Sequence, residues 1–177
     1  MIQSVKPAPT DETDGLPMPK RIWAVISVGF ALCMSVLDVN IINIVLPTLS
    51  HDFGTSPAVT TWIINGYQLA IVVSLLSFSA LGEIIGYRKV YLSGIGLFCI
   101  TSLICALSDS FWTLTIARIF QGFSASAITS VNTAQLRYIY PKSQLGRGMG
   151  INAMVVAISA AAGPSVASGI LSIASWH

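Results

Sequence analysis

The sequence has 177 residues, of which 54% are hydrophobic and only 9% charged, and its mean hydropathy is +0.76. That composition excludes an ordinary soluble domain, and a net charge of +2 is too small for a nucleic-acid-binding surface. We expect an all-α integral membrane protein, because apolar runs such as GLFCITSLICAL lack the strict alternation of barrel strands.

The chain opens with a polar segment and continues as a series of apolar stretches. Residues 1–21 contain four prolines and three acidic residues without a sustained apolar run, which predicts a disordered cytoplasmic tail. Apolar stretches near the roughly 20 residues that a membrane-crossing helix needs then recur. We predict five transmembrane helices, at about residues 22–46, 60–81, 90–107, 112–136 and 150–173.

Basic residues fall in alternate gaps between these stretches. Eight of the nine Lys and Arg residues precede helix one or lie between helices two and three or four and five. They are Lys6, Lys20, Arg21, Arg88, Lys89, Arg137, Lys142 and Arg147. Because cytoplasmic loops carry the excess of Lys and Arg, we predict a multi-pass protein whose N-terminus is cytoplasmic.

The ninth basic residue, Arg118, and the acid Asp38 lie inside predicted helices. A charge at the bilayer centre costs at least about 2.5 to 3.5 kcal/mol, so such residues usually face a partner or a water-filled path. Asp38 lies 16 residues beyond Ile22, where helix one leaves the cytoplasm. Arg118 lies six residues beyond Trp112, where helix four enters from outside, so both side chains sit in the outer third of the membrane. We predict that they face each other; the alternative is that Arg118 extends outward to the membrane interface.

Further polar side chains occur on the first, second and fourth helices. We interpret five of them as lining a substrate cavity: Asn43, Asn65, Tyr67, Gln68 and Gln121. The alternative is hydrogen bonding between helices without any ligand, since Asn and Gln also hold membrane helices together.

Small residues repeat every fourth position on the fourth and fifth helices and predict close packing against neighbouring helices. They are Gly122, Ser126 and Ser130 on helix four, and Ser159, Gly163 and Ala167 on helix five. Pro164 removes a backbone donor within helix five, so a kink or local opening is expected there.

Residue patterns that indicate catalysis are missing from the sequence. We find no P-loop, metal-binding cluster, nucleophile elbow or Rossmann fingerprint, and therefore predict no enzyme activity, no metal and no cofactor. Cys33, Cys99 and Cys105 lie inside apolar spans without metal-ligand spacing, and we interpret them as packing residues.

Four segments carry further patterns, in order along the chain. They are LDVNIINIVLP on helix one (Asp38, Asn43), LGEIIGYRKVYLSG after helix two (Gly82, Glu83, Gly86, Arg88, Lys89), LTIARIFQGFSAS on helix four (Arg118, Gln121, Gly122) and SAAAGPSVASG on helix five (Gly163, Pro164). Together these segments resemble the N-terminal half of a major facilitator superfamily transporter, in the fourteen-helix drug/proton antiporter branch. Glu83 stands where the family usually has Asp, and Asn40 where it usually has Thr.

The resemblance implies a major facilitator type N-terminal helical bundle, with five of its helices present in residues 22–177 and the bundle therefore incomplete. It implies an inner-membrane antiporter that exports small organic compounds, often amphipathic or cationic, by alternating access between two bundles. Asp38 is expected to take up a proton from outside, and Arg118 is expected to bias the pKa of Asp38. The proton gradient would be the energy source. Glu83 is expected to pair with Arg137 at the cytoplasmic end of helix four and to stabilise one conformation.

A complete transporter of that branch needs more helices than this chain holds. We therefore expect a fragment or a truncated form that does not transport alone. The alternative function is a non-transporting accessory membrane protein that packs against partner helices through its small-residue faces.

Overall fold

The computed structural model describes residues 14–173, and the side chains of residues 14–169. Within this range the chain is helical and contains no strand, which confirms the predicted all-α class. The helices are α1 (Met18–Asp52), α2 (Pro57–Thr60), α3 (Trp62–Ile85), α4 (Tyr87–Ala106), α5 (Phe111–Ile139) and α6 (Leu145–Ile173), and one 3-10 turn, Lys142–Gln144, precedes α6.

The five predicted stretches correspond to the five long helices, α1 and α3 to α6. Helix α1 is longer than the predicted 22–46, since it begins at Met18 and ends at Asp52. Pro19 favours the early start, because a proline in the first turn has a suitable φ and no N–H to leave unsatisfied. Residues 1–13 of the predicted tail lie outside the described residues.

Helix α5 is the centre of the bundle. It packs along α3 on one side and α4 on another, whereas α1 pairs mainly with α6. Four helical segments in the described part of the chain are long and apolar enough to cross a membrane: Met18–Asp52, Pro57–Ile85, Tyr87–Ala106 and Lys142–Gly169. Helix α5 is as long but more polar, and its neighbours enclose it. Its polar side chains therefore meet protein instead of lipid.

A glycine sets the distance between α3 and α5. A Cβ atom at Gly122 would lie only 2.5 Å from the carbonyl oxygen of Tyr67, so this contact requires glycine. One turn further along α5, the Ser126 hydroxyl donates to the carbonyl oxygen of Ile71 at 3.3 Å. The predicted close packing of the small-residue face on α5 is thereby confirmed.

The small-residue face of α6 packs in the same way against α1. A Cβ atom at Gly163 would lie 2.5 Å from Cβ of Asn40, and Ser159 and Ala167 are both buried. The chain remains helical on both sides of Pro164. Close packing is thus confirmed for this face too.

The connection between α3 and α4 is a single residue, Gly86. Its φ of +99° lies in the region that residues with a Cβ rarely adopt, so glycine permits this abrupt reversal. The turn places Arg88 and Lys89 at the same end of the bundle as the α5 to α6 connection. All described Lys and Arg residues except Arg118 lie at that end.

Residues 14–16, which belong to the predicted disordered tail, lie against the α5 to α6 connection. The Leu16 N–H donates to the Ile139 carbonyl at 3.1 Å, and the Lys142 N–H donates to the Asp14 carboxylate at 2.9 Å. Arg21 of α1 donates both to the Leu16 carbonyl and to the Gln144 side chain, each at 3.0 Å. These bonds tie the start of α1 to the start of α6.

We predict that Gly122→Ala destabilises the bundle, because its new Cβ collides with the backbone of α3. The free energy of unfolding should fall by about 1–3 kcal/mol, as for other overpacked sites. Thermal unfolding of the chain in detergent micelles measures this change. Gly96→Ala on α4 is the matched control, since no atom lies within 4 Å of its new Cβ. Equal unfolding temperatures for the two variants would contradict the prediction.

Candidate functional site

Helices α1 and α5 bring Asp38 and Arg118 into direct contact. Nη1 of Arg118 donates to Oδ2 of Asp38 at 2.7 Å. The side chains are only 16% and 9% exposed, respectively, so the pair is largely shielded. The predicted contact is confirmed, and Arg118 does not extend to the interface as the alternative required.

Gln121 holds the second oxygen of the same carboxylate. It lies three residues after Arg118, which places both side chains on one face of α5. Its Nε2 donates to Oδ1 of Asp38 at 3.2 Å. Both carboxylate oxygens therefore accept hydrogen bonds, which offsets part of the cost of removing the charge from water.

Helix α4 contributes a residue that the sequence interpretation treated as packing alone. Sγ of Cys105 lies 3.4 Å from Oε1 of Gln121 and donates to it. The sequence offered a weak signal, because Thr101, Cys105 and Ser108 are spaced at i, i+4 and i+7, which places them on one face of a helix. The four side chains Asp38, Arg118, Gln121 and Cys105 are called the charge cluster below.

Tyr67 of α3 lies beside the charge cluster. It is only 4% exposed, and it is within electrostatic range of both Asp38 and Arg118. Gly122 makes this position possible, because α5 contacts the backbone of Tyr67 itself. Helices α1, α3, α4 and α5 thus all border the cluster.

One donor of the cluster has no partner in the part of the chain that the structure describes. Nε of Arg118 is buried and has no hydrogen-bond partner among the described residues. An unmatched buried donor of this kind costs about 1–3 kcal/mol. Arg118 therefore keeps the capacity to bind a further acceptor while it is paired with Asp38.

The other predicted cavity residues do not join the cluster. Asn43, Asn65 and Gln68 are exposed in the described structure. The Asn43 amide donates to the carbonyl of Val39 on its own helix at 2.9 Å. These three exposed amides therefore stay outside the buried cluster.

The loop motif after α3 combines two constrained glycines with exposed charges. A Cβ atom at Gly82 would lie 2.7 Å from the Tyr87 ring, and Gly86 has the positive φ described above. The charged side chains of the motif, Glu83, Arg88 and Lys89, are all exposed. The side chain of Arg137, which was expected to pair with Glu83, is exposed as well.

The predicted Glu83 to Arg137 ion pair is absent from the described structure. No nitrogen of Arg137 lies within 4.0 Å of the Glu83 carboxylate, and the ion pairs within residues 14–169 involve other residues. Gly82, next to Glu83, faces Val131 of α5. Arg137 lies six residues further along α5, about 9 Å at 1.5 Å per residue, so the register of the two helices separates the charges.

We predict that Arg118→Gln strongly destabilises the folded chain. The change leaves Asp38 buried without a counter-charge, a situation that costs about 3–5 kcal/mol. Arg137→Gln on the same helix is the matched control, since it removes an exposed charge and should change stability by about 0.5 kcal/mol or less. Unfolding in detergent measures both variants.

The double variant Asp38→Asn with Arg118→Gln should recover part of the lost stability, because neither charge is then left unpaired. If the double variant is less stable than Arg118→Gln alone, the pair is not the origin of the effect.

Comparison with known proteins identifies relatives over nearly the whole chain. It is 53% identical over 168 residues to an uncharacterised transporter, YebQ, of Escherichia coli, an alignment that covers 95% of this chain and 37% of the relative. It is 32% identical over 158 residues to the riboflavin transporter RibZ of Clostridioides difficile, with coverages of 89% and 35%. It is 29% identical over 153 residues to the drug efflux pump JefA of Mycobacterium tuberculosis, with coverages of 86% and 30%.

The chain spans about a third of the length of these curated relatives. A family model described as the Major Facilitator Superfamily matches residues 28–177. This match includes the charge cluster, the loop motif and the Gly163–Pro164 motif. On this match, which covers most of the sequence, the chain belongs to the Major Facilitator Superfamily.

Proposed function

We propose that this chain forms part of a proton-coupled antiporter that exports small organic molecules. Its family consists of transporters, which supports a transport role and gives no support to an enzyme role. The observation that carries the proton-coupling proposal is the shielded Asp38 carboxylate on the apolar helix α1, bound by Arg118 and Gln121 of α5. Ionisable residues at such depth are commonly parts of proton or ion pathways.

Asp38 is the proton carrier in this proposal. In the ionised form it accepts hydrogen bonds from Arg118 and Gln121 on its two oxygens. Protonation removes its charge and weakens both bonds, so Arg118 becomes free to bind another acceptor through more of its donors. This change alters the contact between α1 and α5, and it links proton uptake to movement of one helical bundle against another.

The residues that we propose for substrate binding are the exposed Asn43, Asn65 and Gln68, together with the buried Tyr67 and Gln121. Amide side chains can both donate and accept hydrogen bonds, and they thereby orient an organic ligand. One relative is named for riboflavin and another for drug efflux, so substrate choice varies among the related proteins. We propose amphipathic or cationic organic compounds, exported across the inner membrane by a protein with its N-terminus in the cytoplasm.

The alternative role, an accessory protein that packs against partner helices through its small residues, has less support. Gly122 and Ser126 are already occupied by α3, and Gly163 is occupied by Asn40 of α1. The faces that would have to receive a partner helix are therefore used within the chain's own bundle.

We predict that Asp38→Asn in the complete transporter abolishes proton-driven transport. The experiment reconstitutes the protein in liposomes, imposes a pH gradient and follows ethidium as a flat organic cation. Gradient-driven movement should fall to the level of protein-free liposomes, because the uncharged Asn cannot carry a proton. Asp109→Asn, which removes an exposed carboxylate between α4 and α5, should transport like the unchanged protein.

Two results would contradict the proposal in different ways. Gradient-driven transport retained in Asp38→Asn would remove Asp38 from the coupling mechanism. Transport of riboflavin without any transport of ethidium would refute the proposed cationic substrate class and leave the role of Asp38 intact.

A further inference from the structure

Gln121 is enclosed by two partners on opposite ends of its side-chain amide. Its Nε2 donates to Oδ1 of Asp38 at 3.2 Å, and its Oε1 lies 3.4 Å from Sγ of Cys105. The residue is only 1% exposed, so water does not compete for either end. We infer that Cys105 is a positioning residue whose thiol fixes the orientation of the Gln121 amide towards Asp38. This inference rests on the proposed role of Asp38 as the proton carrier.

The orientation of the amide follows from the chemistry of its two partners. The nitrogen and oxygen ends of a Gln side chain have nearly the same shape, so packing alone does not distinguish them. An ionised carboxylate only accepts hydrogen bonds, and the amide must therefore present its NH₂ group to Asp38. The carbonyl end then points to Cys105, which supplies the S–H donor that this oxygen needs.

Removal of the thiol hydrogen leaves that oxygen without a partner. Because Gln121 is buried, the unmatched carbonyl disfavours the orientation that serves Asp38. The amide is then held only at its Asp38 end, so its NH₂ group is directed less well towards the carboxylate. Cys105 thus affects the hydrogen bonding of Asp38 indirectly, through the side chain of Gln121.

The surroundings of Cys105 suit a positioning role rather than a chemical one. Its side chain is 9% exposed and packs with Ile42, Ile63 and Leu114 in an apolar cluster. The titratable groups that border Gln121 and Asp38 come from four helices: Asp38 on α1, Tyr67 on α3, Cys105 on α4 and Arg118 on α5. Each of them is retained or changed singly in the experiments below.

The hydrogen bond itself is tested by the infrared S–H stretching band, which lies in a region free of other protein bands. Subtracting the spectrum of Cys105→Ala from that of the unchanged 177-residue chain isolates the Cys105 band. We expect Gln121→Leu to shift this band to the position of a thiol without an acceptor. The band of Cys99, an exposed cysteine on the same helix, is isolated with Cys99→Ala and should not move. An unshifted Cys105 band in Gln121→Leu would overturn the inference.

The consequence for coupling is tested in the complete transporter by the pH midpoint of gradient-driven ethidium transport. Cys105→Ala should shift the midpoint in the same direction as Gln121→Leu, and the double variant should shift it no further than Gln121→Leu alone. Cys105→Ser keeps a hydroxyl donor and should stay closer to the unchanged protein than Cys105→Ala. Cys99→Ala should show no shift.

Additive shifts in the double variant would overturn the positioning role, because two residues that act through one bond cannot contribute independently. Equal shifts for Cys105→Ser and Cys105→Ala would also overturn it, since packing loss would then explain the effect. If Asp38→Asn still couples, the proposed function fails, and the infrared band decides separately whether Cys105 orients Gln121.

Discussion

A shielded ion pair between the first and fifth helices is the interaction on which the structure most depends. Asp38 and Arg118 are tolerated inside the helical bundle because they meet at 2.7 Å and because Gln121 satisfies the second carboxylate oxygen. This arrangement requires α1 and α5 to keep one relative depth and one relative rotation. A shift of α5 by a single residue would turn Arg118 away from Asp38, since each residue rotates the helix face by about 100°.

The polar character of α5 and its central position explain each other. A helix with two arginines, two glutamines and several hydroxyls is poorly suited to lipid, but it is well suited to a place between α3 and α4. Small residues let it approach closely, as Gly122 does against the backbone of Tyr67. The same close approach brings Tyr67 to the charge cluster, so the packing of the bundle and the composition of the candidate site have one cause.

Two ion pairs were predicted from the positions of residues along their helices. The Asp38 to Arg118 pair is present, whereas the Glu83 to Arg137 pair is absent from the described residues because the two helices are offset along their axes. The depth estimate for Asp38 and Arg118 needed only the rise per residue from each membrane boundary. The Glu83 to Arg137 prediction placed both residues at the cytoplasmic end of their helices. Gly82 faces Val131, however, which lies six residues before Arg137 on α5.

Residues 14–16 show another limit of prediction from the sequence. Their polar, proline-rich surroundings predicted disorder, yet hydrogen bonds to the backbone of Ile139 and Lys142 hold this segment in place.

The sequence by itself determined the all-α class and the five long helices, and it predicted the contact between Asp38 and Arg118. These follow from the length of the apolar stretches and from the cost of an isolated charge in a membrane. Only the tertiary structure decided that α5 is central, that Cys105 completes the contacts of Gln121, and that Asn43, Asn65 and Gln68 face outward. These features depend on how each helix is rotated about its own axis. Polar residues that are spread around an apolar helix do not predict which side of the helix faces its neighbours.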